Sequence, residues 1–582
     1  MTTHETPPPT SSSAPGQPGT RQTNVWPAIG IGIAAVGLTL TAAELIAAVG
    51  AWLGAFNPAS APFSALGAAF ISITPGWLKE FGIGLFGQSD KAALAVSMVV
   101  TFLIVGALIG VIGRINRMAA AGIGAALVVV TGIAVLSRPD VSGGDLTPTV
   151  LGGVAGIWFL MRALQPSDDV YAQIHAGSAT ARSTAASRTT YTMDRRKALR
   201  MSGTGAVLAI AAGGLSRLVP DVADIQANRA AVKLPPVGNG TSTPAPGELV
   251  AGQAPGTTST GPSYAADSAT SPSKTALSAA VDPPVPDLTP YITPNEHFYR
   301  IDTAFTVPRV TTDEWHLKVH GLVDEPFEIT WAELLAMPQV ERTVTLTCVS
   351  NEVGGDLAGN AVWQGVLVSD LLKRAKIQRG ADCLFSTSVD NFSVATPLAA
   401  MTDSRDSLLA IGMNGSPLPV EHGFPARLVV PGLYGYVSAT KWVEDLEVAK
   451  FAEVTGYWTD LGWSALGPIK TASRIDTPKY DVTLPAGVVP VAGVAWAQHR
   501  GIDAVQVQVD DGPWQEATLS GAVSADTWRQ WVFQWDTKSA SSGKHTLRCR
   551  AIDNTGAVQD PTPASPAPNG ASGYHQVPVV LA

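Results

Sequence analysis

The stretch Thr343-Val-Thr-Leu-Thr-Cys348-Val-Ser-Asn351-Glu-Val-Gly354-Gly355 decides how the chain is read. A β-branched run leads to a single thiol, and a glycine-bearing loop begins just after it. β-branched residues favour a strand, so Cys348 is expected where a strand gives way to a turn that tolerates close backbone approach. Two later stretches belong with it. Met413-Asn-Gly-Ser-Pro-Leu-Pro-Val-Glu-His422-Gly-Phe-Pro-Ala-Arg427 and Pro431-Gly-Leu-Tyr-Gly-Tyr-Val-Ser438-Ala-Thr-Lys441-Trp442 supply cations and glycines. Those residue types suit an anionic organic ligand.

At 582 residues the chain is too long for one compact domain. Long apolar runs lie almost entirely before about residue 220, and the Trp-rich, mixed-polarity sequence lies after 285. A net charge of −9, spread along the chain, argues against nucleic acid as partner. The three cysteines, Cys348, Cys383 and Cys549, form no Cys-x-x-Cys pair. A disulfide scaffold and a thiolate zinc site are therefore excluded, and a functional thiol has to act nearly alone.

Residues 1–22 are rich in Pro, Ser and Thr and read as a disordered tail. Val25 to about Ala55 is apolar and long enough to span a bilayer. It is too long, and lacks the basic flank, for a cleavable signal peptide. Further spans are expected at Ala92–Ile112, Met118–Leu136, Thr147–Met161 and Met201–Leu218. Pro75, Lys79 and Glu80 interrupt Ala61–Phe86, which reads as re-entrant or interfacial. Basic residues at Arg114 and Arg117, and from Arg182 to Arg200, then place the N-terminus inside and the C-terminus outside. Six spans is the alternative, and it puts Arg114 and Arg117 on the wrong side. Glu44 lies near the outer end of the first span and reads as interfacial. No histidine falls in an expected span, so no haem is expected in this chain. Asp194-Arg195-Arg196-Lys-Ala-Leu199 resembles an internal twin-arginine export signal, the other reading being an ordinary positive-inside flank. Residues 221–284, rich in Pro, Ser, Thr, Gly and Ala, read as a flexible linker.

After Tyr291 the pattern turns to short strands and helices. Thr330 and Glu333 form a capping box in front of a short helix, and Ser369-Asp-Leu-Leu-Lys-Arg begins another. From about Pro468 alternating segments predict strands at Val491–Ala497, Ala504–Asp510, Trp528–Trp535 and His545–Asp553. Cys383 and Cys549 sit inside such apolar alternation and read as core residues. Read alone, Cys348 would also be a core thiol, the common fate of a lone cysteine; its flanking blocks reverse that reading.

Together the three blocks resemble the molybdopterin-binding domain of the sulfite oxidase superfamily, over roughly residues 285–582. The resemblance implies a molybdenum–molybdopterin cofactor with Cys348 as the metal's protein ligand and catalytic centre. It implies that His297, Phe298 and Tyr299 line the pterin side, and that Asn351, in the loop after the thiol, also binds the cofactor. It further implies that His422, Arg427, Ser438 and Lys441 bind the pterin and its phosphate. Arg300 would face the substrate, a structural salt bridge being the alternative. The family's active-site tyrosine would fall on Ile411, which speaks against sulfite as substrate.

The fold class expected is therefore an N-terminal multi-span transmembrane α-helical region, an α+β molybdopterin-binding domain and a C-terminal immunoglobulin-like β-sandwich. Their bounds are a tail at 1–22, a membrane region at 23–220, a linker at 221–284, the oxidoreductase domain at 285–467 and a dimerisation-type domain at 468–582. The function expected is two-electron oxygen-atom transfer on a small oxyanion or sulfoxide-type substrate, outside the cytoplasmic membrane. An external electron carrier, the membrane and a second copy of the chain are the partners implied. The alternative is a non-catalytic membrane-tethered binding module of the same fold.

Overall fold

The computed structural model describes residues 25–53, 55–57, 60–75, 78, 90–138, 141–165, 195–216, 225–237, 282–521 and 523–582. The expected tail at 1–22, Asp194 and most of the linker lie outside the described residues. The chain divides into two compact units. The first comprises Met1–Phe63, Ala95–Leu136 and Ser142–Val219; the second comprises Ser64–Leu94, Ser137–Val141 and Pro220–Ala582.

The apolar N-terminal runs form helices α1 (Trp26–Trp52), α2 (Pro62–Ile73), α3 (Asp90–Ile115), α4 (Arg117–Leu136), α5 (Thr147–Ala163) and α6 (Arg195–Ser216). Among the described residues four stretches are long and apolar enough to cross a bilayer: Trp26–Trp52, Lys91–Ile115, Arg117–Leu136 and Gly143–Ala163. With 12 residues α2 is too short; Lys79 and Glu80 lie outside the described residues. The fifth expected span differs. α6 is a helix of 22 residues, but it is not among the four. Basic residues at its start and many Gly and Ala residues leave it far less apolar. Within the first unit α1 packs on α5 and α6, and small residues make that approach possible. A Cβ at Gly156 would lie 1.8 Å from the Thr39 hydroxyl, and one at Gly152 would lie 2.5 Å from the Thr39 carbonyl oxygen. Such small-residue seams are how apolar helices pack where burial alone gives no drive. The Glu44 carboxylate accepts the backbone N–H of Phe63 at 2.7 Å.

In the second unit the expected linker is ordered in part. α7 (Ile225–Ala231) carries Ile225 and Val232 against the core. Arg229 donates to the carbonyls of Leu418 and Pro417, both at 2.7 Å. Gln364 donates to the Pro235 carbonyl at 2.8 Å. The correction has a simple cause: Ile225, Val232 and Leu234 are apolar enough to dock, whatever the composition around them.

Two sheets follow. The first runs β2-β1-β10-β5-β6, from β1 (His316–Gly321), β2 (Phe327–Thr330), β5 (Cys383–Ser388), β6 (Ser393–Pro397) and β10 (Val443–Ala449). The second runs β3-β4-β7-β8, from β3 (Val340–Thr347), β4 (Ala358–Leu367), β7 (Leu408–Met413) and β8 (Ser416–Pro417), with β9 (Arg427–Val429) also on β7. Helices here are short: α8 (Trp331–Ala336), α9 (Val368–Ala375), α10 (Leu398–Thr402) and α11 (Tyr457–Asp460). The part is thus β-rich rather than evenly α+β. Thr330 caps α8 as expected, its hydroxyl accepting from Glu333 N while the Glu333 carboxylate accepts from Thr330 N.

From β11 (Ala472–Thr477) onward two more sheets enclose a core of their own. One runs β11-β13-β17-β16 and the other β12-β19-β18-β14-β15. Their remaining members are β12 (Thr483–Leu484), β13 (Val488–Trp496), β14 (Ile502–Val509), β15 (Gln515–Glu516), β16 (Thr518–Leu519), β17 (Arg529–Asp536), β18 (Gly543–Asp553) and β19 (His575–Leu581). This C-terminal part is not a loose appendage. Val494, Trp496 and Trp528 join the hydrophobic core of the preceding sheets. Thr345 of the edge strand β3 donates its N–H to Asp526 O at 3.0 Å, and its carbonyl accepts from Gln498 at 2.9 Å. The Thr345 hydroxyl accepts from Trp528 N at 2.7 Å. An edge strand exposes unpaired backbone groups; here the C-terminal part pairs them and braces the strand that leads to Cys348.

Candidate active site

β3 ends at Thr347, and Cys348 begins the loop the sequence anticipates. The loop is closed by its own polar groups. Cys348 N donates to Leu357 O at 2.9 Å, Asn351 N donates to Cys348 O at 3.1 Å, and the Asn351 amide oxygen accepts from Leu357 N at 2.8 Å. Gly354 has φ +80°, and a Cβ there would meet the His575 ring at 2.2 Å. Only glycine satisfies both demands.

The half-buried Cys348 thiol faces a cavity of about 310 Å³. Phe298, Tyr299, Asp302, His422, Arg427 and Lys441 line it too. Each reaches the cavity for a local reason. A short turn ends at His422, Gly423 takes φ +111°, and the chain re-enters a strand at Arg427. The next block closes on Ser438, whose hydroxyl donates to Tyr434 O at 2.9 Å, and Lys441 follows. Phe298 packs edge-on to His422, their centroids 5.6 Å apart.

The electrostatics are distinctive. Arg427 is 5% exposed, and its guanidinium donates only to backbone carbonyls, of Leu428 at 3.3 Å and His422 at 3.1 Å. No carboxylate pairs with it among the described residues. Burial pulls its pKa down to about 10. Lys441, 8% exposed, donates to Asp302 at 2.6 Å; burial lowers it to about 8 against the pull of that carboxylate. Burial would raise Asp302, but Lys441, Lys91 and Arg300 outweigh it and hold the carboxyl well below its usual range. Burial, with Arg427 and Lys441 nearby, lowers His422 to about 4 and keeps it neutral. Burial pushes the Cys348 thiol up, with Ser350 opposing. Cys383 and Cys549 are buried, and burial raises each to about 12.

Of the residues expected from sequence, Phe298, Tyr299, Cys348, His422, Arg427 and Lys441 meet in one cavity. The others lie off its wall. His297 is exposed. Asn351 holds the Cys348 loop, and Ser438 is wholly buried in its turn. Arg300 makes the structural salt bridge, its Nε 2.8 Å from Asp302. Ile411 is 0% exposed in the core, so no hydroxyl is presented at that position. Asp302 and the rings of Trp458 and Trp463 were not anticipated. The acid two residues beyond Arg300 was the available hint for the first. For the rings it was the density of aromatics in Gly456-Tyr-Trp458-Thr-Asp-Leu-Gly462-Trp463.

The cavity fits an anionic group that needs one sulfur donor. A buried guanidinium without a carboxylate is costly and calls for an anion from outside the chain. Cys348 is the cysteine of the three that reaches the cavity, and coordination would deprotonate its raised thiol.

Comparison with known proteins agrees. The family model for the oxidoreductase molybdopterin binding domain matches residues 304–458. Rat and human mitochondrial sulfite oxidases (Rattus norvegicus, Homo sapiens) are each 29% identical over 321 residues, covering 47% of this chain. The chain spans 58% of the length of these relatives. An uncharacterized oxidoreductase of Bacillus subtilis (strain 168), YuiH, is 34% identical over 154 residues, which cover 26% of this chain and 74% of that protein. Among solved structures, the sulfane dehydrogenase SoxCD of Paracoccus pantotrophus superposes with a TM-score of 0.42 at 24% identity, over 50% of this chain and 81% of its own. With its lone cavity cysteine, its buried cations and these relatives, the chain belongs to the sulfite oxidase family of molybdopterin oxidoreductases.

Proposed function

We propose that this chain catalyses two-electron oxygen-atom transfer, X + H2O ⇌ XO + 2 H+ + 2 e−, with a small substrate X and an external electron carrier. One observation carries the reading. The half-buried thiol of Cys348 shares a cavity with the buried, carboxylate-free guanidinium of Arg427. Cys348 would hold molybdenum; Arg427, His422 and Lys441 would hold the pterin and its phosphate, with Phe298 and Tyr299 against it. When bound, the cofactor supplies the two-electron redox change and the exchangeable oxygen.

The protein's own residues bind and orient. Arg427 offers a fork of donors to an oxyanion. Lys441, shared with Asp302, offers a point charge that a bound phosphate would compete for. Neutral His422 donates its Nε2–H to the Asn295 carbonyl at 3.2 Å, which leaves Nδ1 as an acceptor. Asn351 and Gly354 fix the thiol's approach through the loop.

The apolar helices support anchoring in the cytoplasmic membrane, multi-pass, with the catalytic part on the extracytoplasmic side. The Arg195-Arg196 pair fits an export signal for a domain that folds with its cofactor before crossing. The C-terminal two-sheet part is read as immunoglobulin-like and as the face of a homodimer. The domain bounds remain 23–220, 285–467 and 468–582, with residues 225–237 moved from the tether to the catalytic unit.

The test is molybdenum and pterin content of purified protein, wild type beside Cys348→Ser. Near-stoichiometric molybdenum with an altered Mo(V) paramagnetic signal in the variant is the expected result. Absence of both metal and pterin, from cells competent to make the cofactor, would leave the binding module.

A further inference from the structure

One carboxylate on the cavity is held by more cations than it needs. Asp302 lines the cavity, its side chain 4% exposed. Its Oδ2 accepts from Lys441 Nζ at 2.6 Å and from Arg300 Nε at 2.8 Å. Its Oδ1 accepts from Lys91 Nζ, and from Arg300 Nη2 at 3.5 Å. Three positive side chains thus converge on one negative charge. Two of them, Arg300 and Lys441, belong to the blocks read from the sequence as the site. Lys91 does not. It stands 211 residues upstream of Asp302. It is the second residue of α3, it opens the apolar stretch Lys91–Ile115, and it belongs to the second unit.

The two carboxylate oxygens are served differently, and that matters when an anion enters. A buried carboxylate has to stay paired, because an uncompensated buried charge is strongly destabilising. If Lys441 turns to an anion in the cavity, Oδ2 keeps Arg300 and Oδ1 keeps Lys91. Without Lys91, Oδ1 would be left with the long Arg300 contact, and Asp302 would hold Lys441 back. Lys91 is not on the cavity lining, so its effect on an anion there passes through Asp302. Lys441 is on the lining, and its second acceptor, the Glu421 carbonyl at 3.2 Å, is neutral and easily shared.

We propose that Lys91 is a positioning residue for the cofactor: by holding Asp302 Oδ1 it releases Lys441 to the pterin phosphate. The inference rests on the reading of Lys441 as a phosphate ligand and goes beyond it. It makes the start of α3 a working part of the cofactor site. A helix apolar enough to cross a bilayer then also governs how firmly the cofactor is kept.

The experiment follows pterin loss from the full-length holoenzyme in detergent. Wild type, Lys91→Met, Lys91→Arg, Asp302→Asn and the double variant Lys91→Met/Asp302→Asn are held at one temperature. Released pterin is measured over time by its fluorescence, and molybdenum is assayed on each preparation. Lys91→Met should speed pterin loss about tenfold, and Lys91→Arg should restore most of the wild-type rate. In the Asp302→Asn background the Lys91 change should have no effect, because the group it acts through is gone. Cofactor-free Lys91→Met should unfold in denaturant at the wild-type midpoint, since Lys441 and Arg300 still pair Asp302; this separates positioning from a loss of fold. Wild-type pterin loss in Lys91→Met would overturn the inference. The same acceleration with Asp302→Asn present, or loss from Lys91→Arg as fast as from Lys91→Met, would overturn it too. A wild type free of pterin and molybdenum, from cells competent to make the cofactor, would sink the cofactor reading instead.

Discussion

Two buried arginines, one on the cavity and one in the C-terminal part, are handled in opposite ways. Arg474 donates to Asp476 at 2.6 Å, to Gly355 O at 2.7 Å and to the Thr289 hydroxyl at 3.0 Å. Arg427 has two backbone carbonyls and, among the described residues, no carboxylate. Both are almost fully buried. A buried cation that is paired and saturated ties structure together, whereas one left unpaired marks a place for a ligand's charge. The cysteines repeat the contrast. Cys549 lies mid-strand in a core, and Cys348 ends a strand on the cavity.

The largest effect should come from Arg474→Met, which strands the Asp476 carboxylate in the interior. A loss of about 3–5 kcal/mol is expected in denaturant unfolding of the catalytic unit. Arg427→Met is the matched change. It should leave the unfolding midpoint of cofactor-free protein unchanged or higher, while pterin content falls. A drop as large as that of Arg474→Met would break the comparison.

Cys348→Ser against Cys549→Ser asks the same question of the thiols. The first should cut turnover by about 100-fold or more, since even groups behind a metal ligand cost roughly 10–100-fold. The second should leave metal content intact and lower stability by about 1–3 kcal/mol, because a hydroxyl then occupies an apolar core.

pH sharpens the contrast further. His575, 3% exposed, is held down to about 4 by burial and Arg474. The unfolded chain, with histidine near 6.5, therefore binds more protons between those values, and stability falls as pH drops through that window. From pH 7 to 5 the loss attributable to His575 should be about 1–2 kcal/mol. His575→Gln should flatten that part of the midpoint-versus-pH curve; an unchanged slope would deny the burial argument. The smallest effect should be Thr330→Ala, about 1 kcal/mol from losing a helix cap. It lies in neither arginine network, so metal and pterin content should not move.

Much of this was legible from local chemistry. The capping box, the strand into Cys348 and the turn through Gly423 follow from near neighbours in the chain. Misreadings came where distant partners decide. The segment at 225–237 reads as linker by composition, yet a few apolar residues set the outcome. His297 and Ser438 stand beside true cavity residues in the sequence, but alternation and turn geometry face them elsewhere. Asp302 could not be assigned a role without knowing that Lys441, far along the chain, would reach it.

The sequence by itself determined the division into an apolar helical part and a β-rich part, the family and the three blocks that converge, because apolar length, β-branched runs and glycine-bounded turns are local properties. Only the tertiary structure decided which cations lack a counter-charge and that the C-terminal part braces β3. Those depend on which groups meet across long separations and on what water is excluded when they do.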